Sequence, residues 1–183
     1  MPVFYLAWFF GPMIYLVRHD QVNAKGQCYG QSDLETAVDY TTSAEKLICQ
    51  LPANPDYIVT SPLKRCAQLA LACFPQQHID INDELKELNF GDWELKRWDD
   101  IERSQIDQWS ATPTNFQFPN GESLAQFDQR VQQMYHALQQ QTGDCCVFTH
   151  AGVIRRMLAL HADEPWQDWL QQPVPFASVT PLA

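Results

Sequence analysis

Short apolar runs bounded by turn-forming residues alternate along this chain with stretches in which apolar positions recur every three or four residues. The runs Met13–Val17, Tyr57–Thr60 and Cys145–Thr149 have the length and composition of strands buried on both faces. Ala44, Leu47, Ile48 and Leu51 follow an i, i+3, i+4, i+7 pattern, as do Cys66, Leu69, Ala70 and Cys73, and each set predicts an amphipathic helix. A longer helix carries Leu124, Phe127, Val131, Met134 and Leu138 on one side, with Asn120 or Gly121 near its start. Another begins after His150 and buries Val153, Ile154, Met157 and Leu158. This alternation predicts an α/β fold with three α/β/α layers and a mainly parallel central sheet. Ligands of such sheets lie beyond the carboxyl ends of the strands.

Those ends carry a distinctive set of side chains. The first strand runs into Arg18-His19-Asp20, the second into Ser61-Pro62-Leu63-Lys64-Arg65, and a later one into His150-Ala151-Gly152. Ser61 is a good helix N-cap and Pro62 a good first helical residue, which puts Arg65 in the first turn. The helix after His150 presents free backbone N–H groups and the positive end of its dipole. One such histidine alone reads as structural, and one such arginine as a solvated charge. Two guanidiniums, two imidazoles and two helix N-termini on one sheet edge describe a phosphate site.

Charge limits the size of the ligand. The 183 residues include 22 acidic and 12 basic side chains, for a formal net charge of −10. Such a chain repels nucleic acid and anionic membranes at long range, yet a local cluster of cations still accommodates one small phosphate. The six cysteines contain no Cys-x-x-Cys pair, and they read as reduced thiols of a cytoplasmic protein. Residues 1–17 are uncharged and mostly apolar, but Gly11-Pro12 interrupts them, and no basic residue precedes the run. Residues 1–12 are therefore expected to be a dispensable leader, with residues 13–183 forming one domain.

Taken in order, these segments resemble the blocks of the histidine phosphatase superfamily, the phosphoglycerate mutase-like fold. Leu16-Val17-Arg18-His19 resembles its Arg-His signature, and Ser61-Pro62-Leu63-Lys64-Arg65-Cys66-Ala67 its second block. Glu84 to Glu94 (ELKELNFGDWE) resembles its acid-bearing loop, Pro119-Asn120-Gly121-Glu122-Ser123 the start of its long helix, and Thr149 to Arg155 (THAGVIR) its last block. Cys28-Tyr29-Gly30-Gln31-Ser32-Asp33 is most similar to the α-ribazole phosphatase branch, whose members remove the phosphate of α-ribazole 5′-phosphate late in cobalamin nucleotide-loop assembly.

The resemblance implies a phosphoric monoester hydrolase in which neutral His19 attacks phosphorus and becomes a phosphohistidine. Arg18, Arg65 and protonated His150 would bind the equatorial oxygens. Glu87 would protonate the leaving alkoxide and then activate water, a role that needs it protonated at the start. Glu84 and Glu94 are its rivals. Lys25, Tyr29, Gly30 and Ala151 are candidate substrate contacts. No metal or other cofactor is expected, because the arginines and His150 supply the positive charge. The expected partner is a small phosphomonoester, with no nucleic acid and no membrane, and a homodimer stays open.

Two positions depart from the family pattern. Asp20 stands where the family has Gly, and it is expected to cap the following turn or face solvent. Lys25 stands where the family has Asn, and it either touches phosphate or is solvated. Residues 93–118 match nothing specific, and their Trp98 and Trp109 either stack on a substrate ring or pack in the core. Other readings are a broad-specificity phosphatase, a phosphoglycerate mutase, a phosphohistidine protein phosphatase and a non-catalytic phosphate-binding module. The chain lacks the site-closing insertions usual in mutases, and it has the acid loop that the short protein phosphatases lack. There is no phosphate-binding Gly-x-x-x-x-Gly-Lys loop, and no Cys is followed six residues later by Arg. His78, His136 and His161 read as surface or helix histidines.

Overall fold

A computed structural model describes residues 12–182 and contains five strands, β1 (Ile14–Arg18), β2 (Tyr57–Thr60), β3 (Asp80–Ile81), β4 (Cys145–Thr149) and β5 (Ser178–Leu182). They form one sheet in the order β3-β2-β4-β1-β5. All neighbouring pairs are parallel except β1 with β5. The three predicted strands are thus the centre of the sheet, with the first one shifted a single residue toward Arg18. The leader expected over residues 1–12 falls almost wholly outside the described residues. No described helix is long and apolar enough to cross a membrane.

The central strands are apolar up to their last residues, Arg18, Thr60 and Thr149, because the sheet is covered on both faces. Ile14, Leu16, Val59, Cys145 and Val147 enter one core, while Val17, Ile58, Cys146 and Phe148 enter the other. Helices α1 (Tyr40–Leu47) and α2 (Lys64–Cys73) close the second core, and α3 (Arg103–Ala111) lies on the surface. Helices α4 (Leu124–Gln139) and α5 (Ala151–Ala162) supply Phe127, Val131, Met134, Leu138, Val153, Ile154 and Met157 to the first.

Some boundaries differ from the sequence expectation for identifiable reasons. The first predicted helix tightens into a 3-10 turn at Ile48–Gln50, so Ile48 leaves the apolar stripe and is 40% exposed. The long helix starts at Leu124, with Ser123 as its N-cap, a few residues after Asn120 and Gly121. Its Ser123 hydroxyl accepts the Gln126 N–H while the Gln126 side chain accepts the Ser123 N–H, a full capping box. Helix α2 begins at Lys64, two residues after Pro62, with Leu63 in the cap position. Asp33 reaches in from another loop and accepts the Lys64 N–H at 2.7 Å. That supplies the cap from outside the helix and leaves the Ser61 hydroxyl for other use.

Candidate active site

Register in the sheet assembles the site. Arg18 pairs with Thr149 and Thr60 with Phe148, so β1, β2 and β4 end level with one another and deliver His19, Ser61 and His150 side by side. The His19 and His150 rings lie 5.1 Å apart, edge to face, and both are almost fully buried.

His19 is held as a neutral imidazole in one tautomer. Its Nδ1–H donates to the Asp20 carbonyl at 2.6 Å, and its Nε2 accepts the Arg65 Nε–H at 3.2 Å. The lone pair therefore sits on Nε2. Burial, followed by the Arg65 charge, lowers its pKa to about 3. His150 Nε2 is 2.9 Å from the Ser61 hydroxyl, and the Cys66 thiol packs beside the same ring. Burial and then Arg65 hold the His150 pKa well below the usual histidine range. Burial therefore works against the protonated form that the resemblance implies for His150 on phosphate.

Arg65 is entirely buried, in the first turn of α2. Besides His19 it donates to the carbonyls of Ser32 and Gly30. Arg18 donates to the Val174 carbonyl and lies 3.7 Å over the Phe176 ring, while its buried Nε–H has no partner among the described residues. A buried guanidinium with a donor to spare suits an anion.

Glu87 lies against the start of α5, where its Oε2 accepts the Gly152 N–H at 3.0 Å, and its Oε1 accepts the Leu88 N–H. Gly152 is what allows this, because a Cβ there would overlap Glu87 Oε1. Sequence reasoning had Gly152 only as part of a block. Its signal, a small residue in the first turn after His150, became specific only with Glu87 in place.

The rival acids have other roles. Glu94 accepts the N–H groups of Gly30, Gln31, Ser32 and Phe90 and the Ser32 hydroxyl, at 2.6–3.1 Å. It thereby ties loop 30–32 to the acid loop, and loop 30–32 in turn holds Arg65. Glu84 turns its backbone carbonyl toward Arg130.

The remaining candidates divide. Tyr29 is half-buried, with its ring 5.8 Å from the Arg65 guanidinium. Ala151 is buried as the first residue of α5. Gly30 has its N–H committed to Glu94 and its carbonyl to Arg65, and a Cβ there would overlap the Leu88 carbonyl. Its backbone thus ties Glu94 to Arg65 at a point with no room for a side chain. Lys25 is exposed. Asp20 is buried and does not face solvent. Its carboxylate accepts the Gln21 N–H and the Ser43 hydroxyl on α1, which keeps its charge engaged away from the imidazoles.

The buried histidines limit stability in acid. Between about pH 6.5 and pH 3 an unfolded His19 binds a proton that the folded one refuses, so the unfolded state carries more protons. Stability therefore falls as pH drops below 6.5, by up to about 1.4 kcal/mol per pH unit for this residue. His150 acts in the same direction. Urea unfolding between pH 7 and pH 5 will show this slope, and His19→Gln will make it shallower. An unchanged slope in that variant would assign the proton uptake to other groups.

Beside Glu87 opens a cavity of about 550 Å³, lined by Phe90, Trp98, Trp109, Phe127, Trp166 and Arg155. Trp98 and Trp109 stack on each other at 6.2 Å and 13°. Trp109 also packs against Trp93 and Phe118, so the pair is part of the aromatic core and part of the cavity wall. Trp98, Trp109, Ser110 and Pro113 in this wall come from residues 93–118, the segment whose sequence matches nothing specific.

Comparison with known proteins agrees with the geometry. An adenosylcobalamin/alpha-ribazole phosphatase of Escherichia coli K12 is 26% identical over 84% of this chain and 82% of its own length. A phosphatase of the same name from Salmonella typhimurium is 27% identical over 87% and 86%. In fold, the chain matches the crystal structure of an alpha-ribazole phosphatase from Shigella flexneri with a TM-score of 0.81 at 24% identity, over 92% of this chain and 89% of that one. The model of the histidine phosphatase superfamily (branch 1) matches residues 14–183, which carry both buried imidazoles, both arginines and the acid loop, and this chain belongs to that superfamily.

Proposed function

We propose that this chain hydrolyses a phosphomonoester through a phosphohistidine on His19, and that its substrate is α-ribazole 5′-phosphate, in cobalamin nucleotide-loop assembly. The observation that carries the substrate is the aromatic cavity next to Glu87, which offers a flat apolar base a place beside the acid. The names of the similar phosphatases support the same choice.

In this reading the phosphate dianion enters between Arg18, Arg65, His19 and His150. It draws the Arg65 Nε–H away from His19 Nε2 and so frees the lone pair. His150 takes up a proton from solvent as the dianion arrives, because the negative charge offsets the burial that disfavours its protonated form. His19 Nε2 then bonds to phosphorus in line as the ester P–O bond breaks, and the Glu87 carboxylic acid gives its proton to the departing alkoxide. Water next loses a proton to Glu87 and attacks phosphorus. The P–N bond breaks, which releases inorganic phosphate and restores neutral His19.

Gly152→Ala tests the place of Glu87. The added methyl displaces the carboxyl group, so kcat on an alkyl ester is expected to fall roughly tenfold to hundredfold. The inhibition constant of inorganic phosphate should change little. An equal loss of phosphate affinity would mean that the glycine serves the phosphate site instead.

The substrate is tested by comparing kcat/KM for α-ribazole 5′-phosphate, ribose 5-phosphate and p-nitrophenyl phosphate, each with EDTA present. Burial of the base should favour the first over ribose 5-phosphate by roughly tenfold to hundredfold. Equal values for these two would remove the α-ribazole assignment and leave a broad-specificity phosphatase.

A further inference from the structure

One buried ion pair outside the phosphate site has an unusual set of partners. Arg130, on α4, and Glu122, two residues before that helix, are each only 14% exposed in their side chains. Arg130 uses all five of its N–H groups. Nε donates to Glu122 Oε1 at 2.6 Å, and Nη2 to Glu122 Oε2 at 3.0 Å. The other three go to backbone carbonyls, from Nη1 to Glu84 at 2.8 Å and Lys86 at 2.6 Å, and from Nη2 to Glu87 at 3.0 Å. Glu122 Oε2 also accepts the Asn89 N–H, and the Glu122 N–H donates to the Asn89 carbonyl. The pair thus grips the acid loop at residues 84, 86, 87 and 89.

Two of those grips bear directly on Glu87. The Lys86 and Glu87 carbonyls belong to the two peptide units on either side of the Glu87 α-carbon. Holding both fixes the backbone rotation there, and with it the direction in which the side chain leaves the chain. Between Leu85 and Gly91 the loop has no helix or strand to do this. Its carbonyls need partners, and a planar fork of five donors provides three of them at once. Lysine offers three donors from a single point and cannot reproduce the pattern.

We propose that Arg130, braced by Glu122, is the positioning residue for the general acid. It acts through Glu87 and touches neither substrate nor phosphorus. This rests on the reading of Glu87 as the acid, and the test separates the two ideas. A general acid matters for a poor leaving group such as an alkoxide, and little for p-nitrophenolate, which departs without a proton. A loss confined to the alkyl ester is a signature that general destabilisation does not produce.

The experiment compares kcat/KM for α-ribazole 5′-phosphate and p-nitrophenyl phosphate in wild type, Glu87→Gln, Arg130→Met and Arg130→Lys, at a temperature where thermal melts show each to be folded. Glu87→Gln should lose roughly 10²-fold or more on the alkyl ester and less than about tenfold on p-nitrophenyl phosphate. Arg130→Met should show the same asymmetry, at roughly tenfold on the alkyl ester, with Arg130→Lys between it and wild type. If Arg130→Met does not fold, Arg130→Lys carries the comparison. Equal losses on both esters, or no loss, in a folded Arg130 variant would overturn the proposal while Glu87→Gln keeps its asymmetry. Symmetric behaviour of Glu87→Gln would overturn the acid assignment, and the positioning role with it.

Discussion

Replacing His19 with alanine is expected to lower kcat by roughly a thousandfold or more and to abolish the phosphoenzyme. The magnitude follows from what is lost. A phosphomonoester dianion resists attack by water, and the imidazole divides that step into two smaller ones. A thousandfold is about 4 kcal/mol of transition-state stabilisation, in the range seen when a nucleophile is removed and binding groups stay behind. Those groups do stay, since Arg18, Arg65 and His150 each have anchors other than His19 in Val174, in Ser32 and Gly30, and in Ser61. The measurement is a rapid alkaline quench of enzyme with ³²P-labelled substrate. Wild type should yield a protein-bound label that is stable in base and lost in acid, as expected of a phosphoramidate. Label of the same kind in His19→Ala would move the nucleophile to another residue, with His150 the first to test.

The second large effect is expected at Glu94, on stability as well as turnover. Glu94→Gln keeps the shape and removes the charge. It also turns one of two acceptor oxygens into an N–H₂ group facing N–H donors. The five hydrogen bonds to Gly30, Gln31, Ser32 and Phe90 cannot all survive, and a loss of about 2–4 kcal/mol is expected at pH 7. Because loop 30–32 supplies the carbonyls that hold Arg65, turnover should fall equally for alkyl and p-nitrophenyl esters, unlike the pattern at Arg130. The sign with pH is fixed by the carboxyl group. Burial raises its pKa, but the hydrogen bonds to Ser32, Gly30 and Gln31 outweigh that and hold it below the usual carboxylate value of 4.5. The contribution is therefore present above pH 4.5 and lost as pH falls through the folded pKa. Urea unfolding of wild type and variant should show a difference that shrinks on acidification. A difference that grew would mean the hydrogen bonds do not depend on the charge.

These two residues differ in how far the sequence discloses them. His19 follows a buried apolar strand, next to an arginine, and that local pattern already marks it as a site residue. Glu94 looks like a surface acid in a loop, and little nearby in sequence names its donors, which lie 62 to 64 residues away in four of five cases and four residues away in the fifth. The same holds for the helix cap at Lys64. Local chemistry favours Ser61, yet Asp33 takes the role across 31 residues and Ser61 turns to His150. The strand β5 was missed because Pro181 interrupts its apolar run. Pro181 is tolerated there because, among the described residues, β5 pairs with β1 alone, at the edge of the sheet.

Periodicity and residue type are enough to predict the buried parallel strands, the helices that cover them, and the two histidines and two arginines that follow the strand ends. These need only local rules, since the period of a strand or helix decides which side chains share a face. The packed chain is what turns Asp20 toward α1, sets Glu94 and Arg130 to grip loops, brings Glu87 to α5 and disfavours charge on His150. Each of those depends on which distant groups surround a buried charge. Desolvation and hydrogen-bond partners are properties of the packed chain, and no local pattern encodes them.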